Sequence, residues 1–284
     1  MFRPFTLKAA IALLCLLAAT GASWCKPRVA CSAHYVDVKG VHTYYERCGK
    51  GPILLLLHGA AMVKEAWGPL IGPLGARFTL IIPERRGVGR TADIEGPWTY
   101  AGFADETAAF MDKLRLKNAL VFGYSDGGNI GLILASHRPD LVERLVVSGA
   151  NYNSAGLGPM EADIRRMKSG EFVAAAPPEV KPFLEIQRRV SPDRGASLLK
   201  TFAKMMRMWV DYSISDAELA AIKADALILA GDRDMFSVPY TIEQHGKVPK
   251  AALGIVPNAD HFWVLKRPQL AALLISEFLT RRRD

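Results

Sequence analysis

The chain has 284 residues, half of them hydrophobic and 23% charged, and its formal net charge is +8. A chain of this length can bury one large core, and this composition excludes global disorder. Its excess of basic residues is accompanied by no nucleic-acid-binding motif, so it indicates a basic surface and predicts no nucleic-acid partner.

The first 22 residues have the pattern of a secretory signal peptide. Arg3 and Lys8 form a basic start, an apolar run follows, and small residues lead to an expected cleavage site near Ala22. Because the apolar run is short for a membrane span, we expect cleavage, a secreted or periplasmic protein, and no stable membrane anchor. Two alternatives stay open: an uncleaved anchor, and lipid attachment at Cys25.

A β-hairpin is predicted next, with Lys39-Gly40 as its two-residue turn. In that register Cys31 faces Cys48 at a non-hydrogen-bonded position, where side chains of paired strands approach most closely. An exported protein can form disulfides. The hairpin therefore predicts a Cys31–Cys48 disulfide, whereas a register slip would leave both thiols free.

From residue 53 onward, short apolar runs alternate with segments of helical periodicity. Runs that are apolar on both faces are typical of buried parallel strands. The alternation predicts an α/β fold, with a mostly parallel sheet and helices on both faces. The predicted strands are Ile53–Leu57, Phe78–Ile82, Ala119–Phe122, Leu145–Val147, Leu227–Ala230 and Leu253–Val256.

The alternation breaks over residues 151–222, where prolines are frequent and no strand is convincing. We expect this segment to form a helical cap over the sheet, with residues 31–150 and 223–284 as the core domain. A Met-rich helix is predicted at Lys200–Val210. Its apolar side chains form either the core of the cap or a wall of the substrate site, and both interpretations stay open. They are Phe202, Met205, Met206, Met208 and Trp209.

The sequence Gly123-Tyr-Ser125-Asp-Gly127 is the only Gly-x-Ser-x-Gly in the chain, and it joins a predicted strand to a predicted helix. Such a turn strains the serine backbone and exposes its hydroxyl over the sheet edge, while the two glycines relieve crowding. The following helix directs its N-terminal amides toward the site. This context predicts Ser125 as a nucleophile.

A serine nucleophile needs a base, and the base needs a group that fixes its tautomer. Among six histidines, His261 follows the last predicted strand, in a loop that reaches the carboxyl edge of the sheet. Asp234 is preferred as the acid because it lies farther into its loop than Asp232, which is expected to cap or to pair with Arg233. The predicted triad is Ser125, His261 and Asp234.

An oxyanion needs two donors, and we expect them to be the backbone N–H groups of Asp126 and Ala60. His58, in the loop that carries Ala60, is predicted to be a structural hydrogen-bonding residue. The carboxylate of Asp126 has two interpretations. It binds a cationic substrate group, such as the α-amino group of an amino-acid ester, or it points away and braces a neighbouring loop.

Five motifs follow one another in the chain: LHG at 57–59, ERRGVGRT at 84–91, GYSDGG at 123–128, GDRD at 231–234 and ADH at 259–261. Together they resemble the α/β-hydrolase superfamily, which implies the fold of that name with the helical cap as an insertion. Glu84 stands where members usually carry Asp, and Asp126 stands where many carry Met or Leu. The form with Asp126 is similar to the branch of valacyclovirase-like and other small-ester hydrolases.

The predicted function is hydrolysis of a small carboxylic ester, or a related lactone or thioester, through an acyl-enzyme on this triad. The expected partner is a small-molecule ester, and no metal or organic cofactor is required. One alternative is cofactor-free perhydrolase or haloperoxidase activity at the same triad. Another is a non-catalytic ligand-binding homologue. Ser125 argues against a dehalogenase, which would carry Asp at this position.

Overall fold

The computed structural model describes residues 29–281, so the predicted signal peptide and Cys25 lie outside the described residues. In these residues one eight-stranded sheet is formed by β1 Cys31–Val38, β2 Val41–Cys48, β3 Ile53–Leu57, β4 Thr79–Pro83, β5 Ala119–Tyr124, β6 Val142–Ser148, β7 Asp225–Arg233 and β8 Ala251–Asp260. The strand order is β1-β2-β4-β3-β5-β6-β7-β8. β2 pairs antiparallel with β1 and with β4, and every other pairing is parallel.

The helices of the described residues connect these strands or follow β8, and five of them lie between β6 and β7. They are α1 Gly68–Gly75, α2 Tyr100–Lys113, α3 Asp126–His137, α4 Met160–Arg166, α5 Ser169–Ala174, α6 Lys181–Val190, α7 Leu198–Val210, α8 Asp216–Ala220, α9 Val238–Lys247, α10 Trp263–Lys266 and α11 Pro268–Thr280, with short 3₁₀ helices at Lys64–Trp67 and Ser154–Leu157. Among residues 29–281, no helix combines the length and the apolar character needed to span a bilayer.

Both faces of the sheet are buried along its central strands. Along β3, Leu55 and Leu57 pack in a cluster with α2 and α3, whereas Leu54 and Leu56 pack in a second cluster with α1 and α11. This alternation follows the two-residue period of a strand. Each of these leucines is at most 3% exposed, and such burial contributes roughly 1.5–3 kcal/mol per side chain. The predicted α/β architecture is confirmed.

The predicted strands are in the right places, but most are too short. The run predicted as Phe78–Ile82 forms Thr79–Pro83, and β6 begins at Val142 where only Leu145–Val147 was expected. Polar residues of β6 also pair with the neighbouring strands: Arg144 pairs with Leu120 of β5 and with Asp225 of β7. An apolar run marks the buried centre of a strand, whereas backbone hydrogen bonds extend it beyond that centre.

The hairpin at the sheet edge has the predicted register. Val38 pairs with Val41 and Cys31 pairs with Cys48. The two cysteines are joined as a disulfide, as predicted from the turn. Cys48 is fully buried, so the bridge anchors the exposed first strand to the core.

Between β6 and β7 the chain leaves the sheet and forms α4 to α8. This excursion is closed at its base by a bridge between Asn153 and Ser213, and Ile214 N–H donates to Tyr152 O at 2.7 Å. None of the residues of α4 and α5 is fully buried, whereas α7 buries most of its apolar side chains.

Candidate active site

Ser125 occupies the strained turn that the motif predicts. It lies between the end of β5 at Tyr124 and the start of α3 at Asp126, with φ 54° and ψ −121°. This conformation is costly for a residue with a side chain. A Cβ on Gly123 would lie 2.3 Å from Gly127 O, and one on Gly127 would lie 2.0 Å from Leu57 O, so the backbone packing requires both glycines.

The imidazole of His261 links Ser125 to Asp234. His261 Nε2 lies 3.0 Å from Ser125 Oγ, and His261 Nδ1 lies 2.8 Å from Asp234 Oδ1. The side chain of Asp234 is fully buried, and His261 is 7% exposed. A neutral His261 that donates from Nδ1 to the carboxylate leaves Nε2 free to accept the serine proton. The three residues predicted as a triad therefore meet.

The sheet register explains how the acid and the histidine meet. Arg233 pairs with Asp260 at the carboxyl ends of β7 and β8, so the next residues, Asp234 and His261, leave the sheet side by side. Asp232 Oδ1 accepts a hydrogen bond from Ala259 N at 2.9 Å and thereby joins the two strand ends. Backbone hydrogen bonds from this neighbouring segment also lower the pKa of Asp232.

Gly149, which the sequence analysis did not identify, makes room for the histidine. It follows β6 with φ +61°, and a Cβ there would lie 2.8 Å from His261 Cε1 and 3.3 Å from Asp234 Oδ2. The signal in the sequence is a glycine two residues after the predicted strand Leu145–Val147, at the same sheet edge as the triad residues.

The two predicted oxyanion donors border the same cavity as Ser125. Asp126 is the first residue of α3, so its N–H has no acceptor within the helix. Ala60 belongs to the loop after β3, and this loop packs on the serine turn, since a Cβ on Gly59 would lie 3.2 Å from Ser125 Cβ. The oxyanion role of these N–H groups stays a prediction.

His58 is buried beneath this loop. Its Nε2 lies 3.2 Å from Arg85 N, which donates to it, and its Nδ1 lies 2.8 Å from Gly59 O. Burial, together with the charge of Arg85, lowers the pKa of His58 well below its ordinary value, so the ring is neutral. These contacts agree with the structural role expected for His58.

The carboxylate of Asp126 is already occupied by protein donors. Oδ1 accepts from Tyr100 Oη at 2.7 Å and from Trp209 Nε1 at 3.0 Å, and Oδ2 lies 3.5 Å from Arg85 Nη2. Asp126 is 4% exposed. Of the two interpretations of this side chain, the contacts favour the brace over the cation site.

A cavity of about 330 Å³ opens onto Ser125 and His261. Most of its lining is apolar and comes from the excursion between β6 and β7. The sequence left open whether the Met-rich helix, α7, forms a wall of the site or a core, and it does both. Phe202, Met205 and Trp209 line the cavity, whereas Met206 and Met208 are buried away from it. Further apolar lining residues are Met160, Ile164, Met167, Phe172, Val180, Phe236 and Phe262.

One set of metal-ligand side chains in residues 29–281 lies close enough together to share an ion: Cys31, Glu46 and Cys48. Both cysteines are in the disulfide and cannot act as thiolates, so these residues do not fit a metal site.

The class of α/β-fold hydrolases is defined by features that this structure shares. They are a mostly parallel sheet, a serine on a strand-to-helix turn, and an acid and a histidine at the ends of later strands. The chain belongs to the α/β hydrolase family, whose sequence model matches residues 54–273.

Its similarity to individual members extends over most of the chain. It is 27% identical over 237 residues to the putative carbamate hydrolase RutD of Caulobacter sp. (strain K31), covering 75% of this chain and 85% of that protein. It is 25% identical over 259 residues to 2-hydroxymuconate semialdehyde hydrolase of Pseudomonas sp. (strain CF600), covering 84% and 91%. The enol-lactonase from Burkholderia xenovorans LB400 has a similar fold, with TM-score 0.74, 20% identity, and coverage of 87% and 100%.

Proposed function

We propose that this hydrolase cleaves a small, uncharged carboxylic ester, or a related lactone or thioester, through an acyl-enzyme on Ser125. The observation that carries the proposal is the hydrogen-bonded series from Ser125 Oγ through His261 to Asp234, at the floor of an apolar cavity.

In the first half of the reaction, His261 Nε2 removes the proton from Ser125 Oγ as the oxygen attacks the carbonyl carbon. Asp234 stabilises the imidazolium that forms. The N–H groups of Ala60 and Asp126 donate to the negative oxygen of the tetrahedral intermediate. When the intermediate collapses, the bond to the leaving group breaks and His261 gives its proton to the departing alkoxide or thiolate.

In the second half, water replaces the alcohol. His261 Nε2 takes a proton from the water as its oxygen attacks the acyl carbon, and a second tetrahedral intermediate forms at the same donors. Its collapse breaks the bond to Ser125 Oγ, which recovers the proton from His261 and releases the carboxylic acid. Every proton is accounted for by the triad and water.

The cavity supports an apolar substrate. Its walls are mainly Met and aromatic side chains, and the carboxylate of Asp126 is occupied by three protein donors. An ester with a cationic group has no free counter-ion at this position, since pairing with it would require displacing Arg85. Two similar proteins, by their names, hydrolyse a carbamate and a semialdehyde, which leaves the bond type as the point to test.

A chain-length series of p-nitrophenyl esters tests the proposal, with Ser125→Ala as the matched control. We expect wild-type hydrolysis, labelling by a fluorophosphonate probe, and loss of both in Ser125→Ala. Free and N-blocked amino-acid esters test the charge preference, and faster hydrolysis of the free amine would contradict the neutral-substrate proposal. Strong halogenation with acetate and peroxide but no esterase activity would favour a perhydrolase, and no labelling at all would favour a ligand-binding protein.

We also propose that the mature protein is secreted or periplasmic, after cleavage near Ala22. Disulfides persist in oxidising compartments, so the Cys31–Cys48 bridge supports export. Intact-mass measurement of periplasmic and membrane fractions, with non-reduced peptide mapping, tests this. A full-length chain in the membrane fraction would favour the uncleaved anchor, and free thiols at both cysteines would contradict the proposal.

A further inference from the structure

Arg85 connects the two backbone segments proposed to carry the oxyanion donors. Its side chain is 7% exposed and lies beneath the loop after β3. Nη1 donates to His58 O at 3.0 Å, and Nη2 donates to Gly59 O at 3.3 Å. Nη2 also lies 3.5 Å from Asp126 Oδ2. One guanidinium therefore contacts the loop that holds Ala60 and the residue that follows Ser125.

These contacts fix the direction of the Ala60 N–H. The carbonyl of Gly59 and the N–H of Ala60 belong to one planar trans peptide, so they point in opposite directions. Because His58 Nε2 accepts from Arg85 N, a neutral His58 carries its proton on Nδ1 and donates it to Gly59 O. Gly59 O thus receives two donors, from His58 and Arg85, and the N–H on the other side of the peptide is held in place.

Arg85 also compensates a charge that would oppose the reaction. The carboxylate of Asp126 lies one residue from Ser125, where a tetrahedral intermediate would carry negative charge on its oxygen. Like charges in a buried site repel strongly. The guanidinium of Arg85 pairs with this carboxylate, and the neutral donors Tyr100 and Trp209 complete its hydrogen bonding.

We propose that Arg85 is a positioning residue for the oxyanion hole: it orients the Gly59–Ala60 peptide and neutralises Asp126, without touching the substrate. The inference rests on the proposed function, since it concerns the donors to the oxyanion. In this proposal the reaction rate also depends on Arg85, a residue of the loop after β4 that lies outside the triad.

Kinetics of Arg85→Gln and Arg85→Lys test this role. Gln removes the charge and the guanidinium fork, whereas Lys keeps the charge but has a single ammonium in place of the fork. We expect kcat for a p-nitrophenyl ester to fall by about 10- to 100-fold in Arg85→Gln and by less in Arg85→Lys, since loss of an entire oxyanion donor costs about 100- to 1000-fold. KM stays near that of the wild type.

Binding of an aryl trifluoromethyl ketone separates positioning from general damage. Ser125 Oγ adds to the ketone carbon of this inhibitor as His261 takes the serine proton, and the ketone oxygen becomes a negative oxygen in the oxyanion hole. Its affinity should therefore fall in parallel with kcat. Affinity for the corresponding trifluoromethyl carbinol, an uncharged competitive ligand that forms no adduct, should not change. If Arg85→Gln does not fold, Arg85→Lys carries the test, because it retains the stem and the charge.

Arg144→Gln is the matched control. Arg144 is a buried arginine near the start of β6, and it donates from Nη1 to the carbonyls of Phe278 and Leu279, away from the cavity. It should lose thermal stability but keep kcat and ketone affinity. Unchanged kcat and ketone affinity in folded Arg85 variants would overturn the inference alone. A wild-type protein with no hydrolytic activity would overturn the proposed function, and the inference with it.

Discussion

The indole Nε1–H of Trp209, in the helix that covers the cavity, donates a hydrogen bond to the carboxylate of Asp126 at 3.0 Å. This contact joins the excursion between β6 and β7 directly to the serine turn. Trp209 also borders the cavity, with Phe172 packed edge-on against its ring. The side chain of Trp209 therefore lines the cavity and also holds the carboxylate of Asp126 next to Ser125.

Replacing this indole tests how far the covering helix depends on the contact. We expect Trp209→Phe to lower the free energy of unfolding by about 1.5–3 kcal/mol, because a partly buried hydrogen bond to a charged group is lost. KM should rise, since the ring lines the cavity. Urea denaturation and ester kinetics measure the two effects.

Trp98→Phe is the control for that experiment. Trp98 Nε1 donates to Asp93 at 2.9 Å, in a similar indole–carboxylate bond that does not border the cavity. It should lose stability without a change in KM. Equal KM changes in the two variants would show that the effect of Trp209 is not local to the site.

The carboxylate of Asp234 should matter for rate far more than for folding. Asp234→Asn is expected to reduce kcat by about 10⁴-fold, because the amide no longer selects the His261 tautomer whose Nε2 accepts a proton. Asp232→Asn removes the charge of the carboxylate that accepts a hydrogen bond from Ala259 N. It should change kcat only a few-fold. Steady-state kinetics with matched circular dichroism spectra compare the two, and similar losses would argue against Asp234 as the acid.

Gly149 should be intolerant of any side chain for a specific reason. Gly149→Ala places a methyl group 2.8 Å from the His261 ring, so we expect a displaced imidazole and a large loss of kcat. Gly158→Ala is the control, because Gly158 also has a positive φ, +54°, but a Cβ there would have open space around it. Both variants should lose about 1–3 kcal/mol of stability, because a residue with a Cβ is strained at positive φ. A kcat loss shared by both would contradict the steric explanation.

The burial of His58 predicts an acid-sensitive stability. Burial and the charge of Arg85 depress the pKa of His58, so the ring stays neutral in the folded state, whereas in the unfolded chain it becomes protonated below about pH 6.5. The unfolded state then binds more protons, and the free energy of unfolding falls as the pH drops below this value, by at most about 1.4 kcal/mol per pH unit for this group.

His58→Asn isolates that contribution. Its amide retains a donor for Gly59 O but does not titrate, so the free energy of unfolding should depend less steeply on pH below about pH 6.5. Urea denaturation of both proteins on either side of this pH measures the difference. Identical pH profiles would show that His58 does not contribute to acid sensitivity.

The meeting of Ser125, His261 and Asp234 could be predicted because each follows the carboxyl end of a strand. Parallel strands place such ends at one edge, so short apolar runs were enough to group residues far apart in the chain. The sequence did not predict that β7 and β8 extend to Arg233 and Asp260, because those ends are polar and pair through the backbone.

The contacts of Asp126 were beyond sequence reasoning for a different reason. Its three partners come from three separate elements: Arg85 from the loop after β4, Tyr100 from the start of α2, and Trp209 from α7. No sequence periodicity relates such positions. Sequence patterns report which face of an element is buried, whereas they do not report which polar groups meet inside. The two interpretations of Asp126 were therefore distinguished only by the side-chain contacts.

The bridge between Asn153 and Ser213 brings the two ends of the excursion to one narrow neck. Asp234 and His261 follow strands outside this neck, so we expect them to keep their spacing if the helices beyond it are exchanged. A chimaera joined at the neck would also have to supply an indole in place of Trp209 to keep the hydrogen bond to Asp126.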